Sequence, residues 1–176
     1  MEKAHGIFIS LLKVELPTGD ALQRQIWAKK IVNEEIPILR LSELLLGEKT
    51  IALRFSWLLS DVGMENSEVL YNALPSLFES RSAVESFDFE PSFATYWSLV
   101  GVPYENETAA IDLLLRWLQS PFVNVTTKSR ALIPIEQLAL KYPELKMEIS
   151  IVLQGEVYSS TAQFQKRVED LLGRLE

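Results

Sequence analysis

Apolar residues return at intervals of three and four along most of the chain, the spacing that puts them on one side of an α-helix. Over Glu107 to Gln119, Ile111, Leu114, Leu115 and Leu118 make one stripe, and Ala110, Leu113 and Trp117 a second beside it. Lys49 to Val62 is alike, with Ile51, Phe55, Leu58 and Val62 beside Leu53, Trp57 and Leu59. An apolar arc that wide has to be covered by neighbours on two sides. The pattern predicts helices near Ile7 to Leu16, Asp20 to Val32, Ile36 to Leu46, Lys49 to Val62 and Ser67 to Ser80. Further helices are predicted near Pro91 to Val100, Glu107 to Gln119, Val125 to Tyr142, Pro143 to Gln154 and Thr161 to Leu175. Gly47, Gly63, Gly101 and Gly155 each follow an apolar stretch, where a helix C-terminus takes a left-handed residue. Pro37, Pro91, Pro121 and Pro143 stand at or before helix starts, while Pro75 and Pro134 fall inside helices and predict kinks. Arg81 to Glu90 reads as a loop, the best place for a flexible insertion.

The pattern also repeats. Lys49 to Phe78 lies over Thr127 to Leu153 with an offset of 76, pairing Trp57 with Ile133, Leu59 with Ile135, Val62 with Leu138 and Leu77 with Leu153. Pro91 to Gln119 has the same layout between them, with 40 residues from Leu59 to Leu99 and 39 from Leu99 to Leu138. A helix pair recurring about every 40 residues has the period of HEAT and armadillo arrays, in which stacked pairs share a continuous core. The expected fold is all-α, a right-handed α-α superhelix of about four to five helix pairs. It would be one domain over 1–176, with an N-terminal cap over 1–18, repeats over 19–155 and a C-terminal capping helix over 156–176.

Charge adds a feature that the periodicity lacks. The net charge is −7, but Asp61 to Asp112 holds ten acids against the single base Arg81, and the remainder holds 14 acids against 16 bases. A nucleic-acid binder needs clustered Lys and Arg to displace counterions from phosphates, so no nucleic-acid partner is expected. A basic protein is the better match. The chain has no cysteine, hence no disulfide or thiolate chemistry, and no apolar run approaches the roughly 18 residues of a membrane span. No membrane association is expected, and the expected location is cytoplasmic.

Catalytic groups are sparse. The only histidine is His5, so a serine triad lacks its base, and a zinc site lacks its nitrogen and sulfur ligands. Phosphate-cradling glycine motifs are absent, so no cofactor or metal is expected. The acid pairs Glu34 with Glu35 and Asp88 with Glu90 read as solvated surface charge. Trp27, Trp57, Trp97 and Trp117 all stand at helical core spacing.

The string Ala52 to Leu59, followed by Ser67-Glu68-Val69-Leu70, resembles the Arg-x-x-Trp-x-Leu then Pro-Glu-Leu pattern of small bacterial HEAT-like repeat proteins. Ala139 to Lys146 is similar to their last full repeat, and the resemblance runs from about Gln25 to Glu169, with Ser67 where the pattern has proline. It implies an α-α superhelix without established activity. The adenylosuccinate lyase label that some such proteins carry implies catalytic histidines and a serine-rich loop, neither of which is found here. The expected function is a non-enzymatic scaffold or protein-interaction module. Its partner-facing residues would be polar positions of the second helices: Arg40, Glu43, Glu68, Asn72, Glu79, Asp112, Arg116, Glu144 and Glu148. The alternative is a HEAT-like alkylpurine DNA glycosylase, for which Asp112, Arg116 and Trp117 on one helix would supply the carboxylate, cation and aromatic.

Overall fold

The computed structural model describes residues 2–156 and 161–175 and contains no strand among them. Its helices are α1 (Glu2–Glu15), α2 (Ala21–Asn33), α3 (Ile38–Leu41), α4 (Lys49–Glu65) and α5 (Ser67–Glu79), then α6 (Ser92–Val100), α7 (Glu107–Gln119), α8 (Val125–Lys141), α9 (Lys146–Glu156) and α10 (Ala162–Leu175). The protein is therefore all-helical, as expected. Short 3₁₀ turns extend α3 over Ser42–Leu46 and precede α7 and α9. The expected start of the capping helix at 156 is followed by 157–160, which lie outside the described residues. None of the described helices is long and apolar enough to cross a membrane.

The chain divides into two compact units, Met1–Val100 and Gly101–Glu176. In the first, α4 is packed by α2, α5 and α6, and α3 lies against α5. Phe55, Leu58, Leu59 and Val62 of α4 are buried to 1% exposure or less. One end of this core is aromatic: Phe93 lies 5.1 Å from Phe78, 5.3 Å from Phe89 and 5.5 Å from both Tyr96 and Trp97, centroid to centroid. The buried Tyr96 hydroxyl donates to the Ser56 carbonyl at 2.8 Å, which satisfies its only polar atom. In the second unit α7 packs on α8 and α9, and α10 covers α8 and α9 with Phe164, Val168, Leu171 and Leu175.

Several local expectations change. Gly63 does not end a helix but sits buried inside α4, where a Cβ would come within 2.5 Å of Leu70 Cδ2. The helix runs to Glu65, and Asn66 caps the next one by accepting from the Glu68 and Val69 amides. Gly155 likewise lies within α9, and Gly47 is extended. Only Gly101 takes the left-handed conformation, at φ 87°. At the end of α2 that role falls to Glu35, at φ 51°, with Ile36 N–H closing back on the Ile31 carbonyl at 2.9 Å. Pro75 and Pro134 are inside α5 and α8, as read. The segment expected to be a flexible insertion is instead tied down. Phe89 is 2% exposed, and Arg81 lies 3.8 Å over the Phe78 ring while donating to Glu90 at 3.0 Å. Trp57 is no core residue: it is 43% exposed, with the guanidinium groups of Arg24 and Arg54 5.5 and 5.6 Å from its ring centroid.

Burial recurs along the chain with a register that the residue types only partly reveal. The seven buried residues of α4 (Ala52, Phe55, Ser56, Leu58, Leu59, Val62, Gly63) all have buried counterparts 76 positions on in α8, from Lys128 to Ala139. In α6 the counterparts come 38 positions after α4, pairing Phe55 with Phe93 and Leu59 with Trp97. The expected spacing of 40 pairs Leu59, at 1%, with Leu99, which is 40% exposed. The second helices follow a different spacing. Leu70, Ala73, Leu74, Leu77 and Phe78 of α5 match five buried residues of α7 at 40 positions. All four buried residues of α9 follow at 79, three positions beyond the expected 76. The α6–α7 and α8–α9 connections span six and four residues, against the single Asn66 between α4 and α5.

This register gives the buried ion pair of the second unit an apolar reference. Lys128 Nζ lies 2.6 Å from Glu156 Oε2, with the side chains 6% and 10% exposed, at the positions that Ala52 and Leu77 occupy in α4 and α5. Breaking a buried pair leaves one charge uncompensated, at a cost on the order of 3–5 kcal/mol, whereas replacing both partners with apolar residues is often neutral or stabilising. Glu156→Leu alone is therefore expected to lower stability by about 3 kcal/mol or more. Adding Lys128→Met should restore most of it, as read from urea unfolding midpoints. A double variant as unstable as the single one would contradict this.

Candidate functional site

The expected partner-facing residues are exposed, five in the first unit and four in the second. Glu68, Asn72 and Glu79 lie on α5, Asp112 and Arg116 on α7, and Glu148 on α9. Arg40 of α3 and Glu43 of the following turn line a groove of about 520 Å³ with His5, Ile9 and Leu46. Glu43 is already engaged by Lys13 at 2.8 Å. Asn72 borders a smaller hollow with Ile36, Ile38 and Val69. Trp117 is buried to 4%, whereas Asp112 and Arg116 face outward, so the three do not converge as a glycosylase site would require.

The site with most convergent chemistry lies in the second unit, where the lengthened connections before α7 and α9 enclose a groove of about 460 Å³. It is lined by Tyr104 and Glu105 from one connection, Glu107 and Ile111 from α7, and Tyr142, Glu144 and Leu145 from the other connection. Of the sequence-predicted residues, only Glu144 belongs to it. Glu107 is 7% exposed although it opens α7, where a carboxylate is favoured by the helix dipole. Its Oε1 accepts from Lys141 Nζ at 2.6 Å and its Oε2 from the Tyr142 hydroxyl at 2.5 Å. The same ammonium lies 5.4 Å from the Tyr104 ring centroid and 5.3 Å from that of Tyr142. One cation is thus held at once by a carboxylate and near two aromatic rings.

These contacts set the titration of the cluster. Burial would raise the Glu107 carboxyl, but the hydrogen bonds from Lys141 and Tyr142 and the Lys141 charge outweigh it, so it lies below the ordinary carboxylate value. Lys141 is raised chiefly by its hydrogen bond to Glu107, and Tyr142 is raised because its hydroxyl proton is held by the same carboxylate. Each oxygen of Glu107 thus accepts one hydrogen bond from the cluster. Among the described residues no three His, Cys, Asp or Glu side chains group as a metal site.

The cluster was not legible beforehand because its members lie 34 and 35 residues apart and Glu107 reads as an ordinary first-turn acid. The one available signal was Gly101 to Asn106, which holds a tyrosine and an acid between two predicted helices. Compared with protein-family models, with curated proteins and with solved structures, the chain has no match.

The directions of these shifts fix a pH dependence. The lowered Glu107 contributes stability that is present above the ordinary carboxylate pKa and lost as pH falls through its folded value. The raised Lys141 and Tyr142 contribute stability that is present below their ordinary values, about 10, and lost as pH rises through the folded ones. Glu107→Gln should therefore be most destabilising between about pH 5 and pH 10, with the difference from wild type shrinking on both sides. Phenolate absorbance should also show one tyrosine titrating earlier in the variant. A stability difference that does not shrink below about pH 5 and above about pH 10 would disprove the coupling.

Proposed function

We propose that this chain is a non-enzymatic helical-repeat scaffold that binds a basic protein. In this reading the chain is an α-α superhelix of the HEAT-like kind, with α4 and α5, and α8 and α9, as helix pairs. The observation that carries it is the recurrence of buried positions, 38 and 76 residues apart in the first helices and 40 and 79 apart in the second. Such recurrence is what stacked supersecondary units need, because each covers its neighbours' apolar faces. Repeat surfaces bind through extended faces, and here the exposed charge is acidic. Three of the ten acids between Asp61 and Asp112 are neutralised by Arg24, Arg81 and Lys141. Glu65, Glu68, Glu79, Glu85 and Asp88 of the first unit, and Glu105 and Asp112 of the second, are exposed.

Charge attraction at such a surface is screened beyond about 8 Å at physiological salt, so binding to a basic partner should weaken as salt rises. An arginine-rich polypeptide, followed by fluorescence anisotropy, is the probe. Glu68→Lys with Glu79→Lys should reduce its affinity by about tenfold, near 1.4 kcal/mol, with circular dichroism unchanged because both residues are exposed on α5. Affinity that is indifferent to salt and to this reversal, or tighter binding of duplex DNA than of the polypeptide, would overturn the proposal.

A further inference from the structure

The groove between the two long connections of the second unit is more specific than a general acidic face. Its walls hold three carboxylates, Glu105, Glu107 and Glu144, and its own cation, Lys141, satisfies Glu107. Glu105 and Glu144 are exposed and form no ion pair among the described residues, so the groove keeps an uncompensated charge of about −2. Tyr104, 74% exposed, contributes an accessible ring to the lining, and Ile111 and Leu145 contribute apolar surface. The resident Lys141 ammonium, near both tyrosine rings and on a carboxylate, marks the chemistry that this enclosure stabilises.

We infer that this groove seats an arginine side chain of the protein partner, with an adjacent apolar residue of the partner on Ile111 and Leu145. Arginine fits better than lysine for two reasons. Its planar guanidinium stacks on an exposed tyrosine while forking to carboxylates, and it is more weakly hydrated than an ammonium, so it gives up water at lower cost. Glu105 and Glu144 are the acceptors, Tyr104 is the stacking platform, and Lys141 stays on Glu107. This deepens the scaffold reading and rests on it, since it gives a basic partner one defined point of attachment.

The test uses the full chain and the acetylated, amidated tripeptide Leu-Arg-Leu, followed by amide chemical shifts. Its controls are Leu-Lys-Leu and the neutral citrulline analogue Leu-Cit-Leu. Shifts should concentrate at Tyr104, Glu105, Thr108, Ile111, Glu144 and Leu145, with Leu-Arg-Leu binding several-fold tighter than Leu-Lys-Leu and the citrulline peptide not binding. Glu105→Gln with Glu144→Gln should weaken Leu-Arg-Leu by about tenfold, and Tyr104→Ala by several-fold. Shifts spread evenly over all acidic surfaces, equal binding of the citrulline peptide, or no effect of the double substitution would each overturn the assignment. If the arginine-rich polypeptide still binds a Glu105→Gln, Glu144→Gln variant at full affinity, the groove assignment falls and the scaffold reading stands. If the polypeptide does not bind the wild type, both fall.

Discussion

A helix with two adjacent apolar stripes cannot be buried by one neighbour, and most of this protein follows from that constraint. In α7 the buried residues Ala110, Leu113, Leu114, Trp117 and Leu118 run around more than one face, and α4 is similar with Phe55, Leu58, Leu59 and Val62. Each such helix needs cover from two directions, which α2, α5 and α6 give to α4. At about 25 cal/mol per Å² of apolar surface removed from water, this two-sided burial dominates the favourable side of folding. Polar groups that enter it must bring partners, because an unpaired buried charge costs several kcal/mol. Lys128 has Glu156, Glu107 has Lys141 and Tyr142, and the Tyr96 hydroxyl has the Ser56 carbonyl.

Helix identity was legible because it depends on local spacing, and the limits of α7 were read to the residue for that reason. Register was not. Leu99 looks like the counterpart of Leu59 in type, but burial is decided by the direction in which α6 faces, and there Trp97 takes the core. Trp57 misled in the same way. Its spacing suits a core, yet two arginines flank it at the surface, where an indole can serve as a cation platform. Glycine was over-read as punctuation: Gly63 stays helical because Leu70 needs the space that a side chain would fill. Arg81 to Glu90 looked loose because its anchors, the Phe78 ring and the aromatic cluster around Phe93, are tertiary.

The groove was the least visible part. Of the nine residues chosen from register, Glu144 alone lines it. The choice favoured outward positions of helices, whereas Tyr104, Glu105 and Tyr142 belong to the segments between helices. Loops set on a rigid scaffold are where binding groups concentrate, since they can vary without disturbing a core. Helical periodicity is blind to them.

The unequal connections carry a consequence for how such a chain can change over time. The helices keep the spacing of their buried positions, while the longer connections before α7 and α9 bring Tyr104, Glu105 and Glu144 to one groove. Lengthening a loop adds only a slowly growing entropic cost. A helical chain of this kind can therefore gain or lose such a groove by a short insertion or deletion in its gene. The heritable unit of novelty in this architecture is then the length of a turn, and the helices it joins are free to remain conservative.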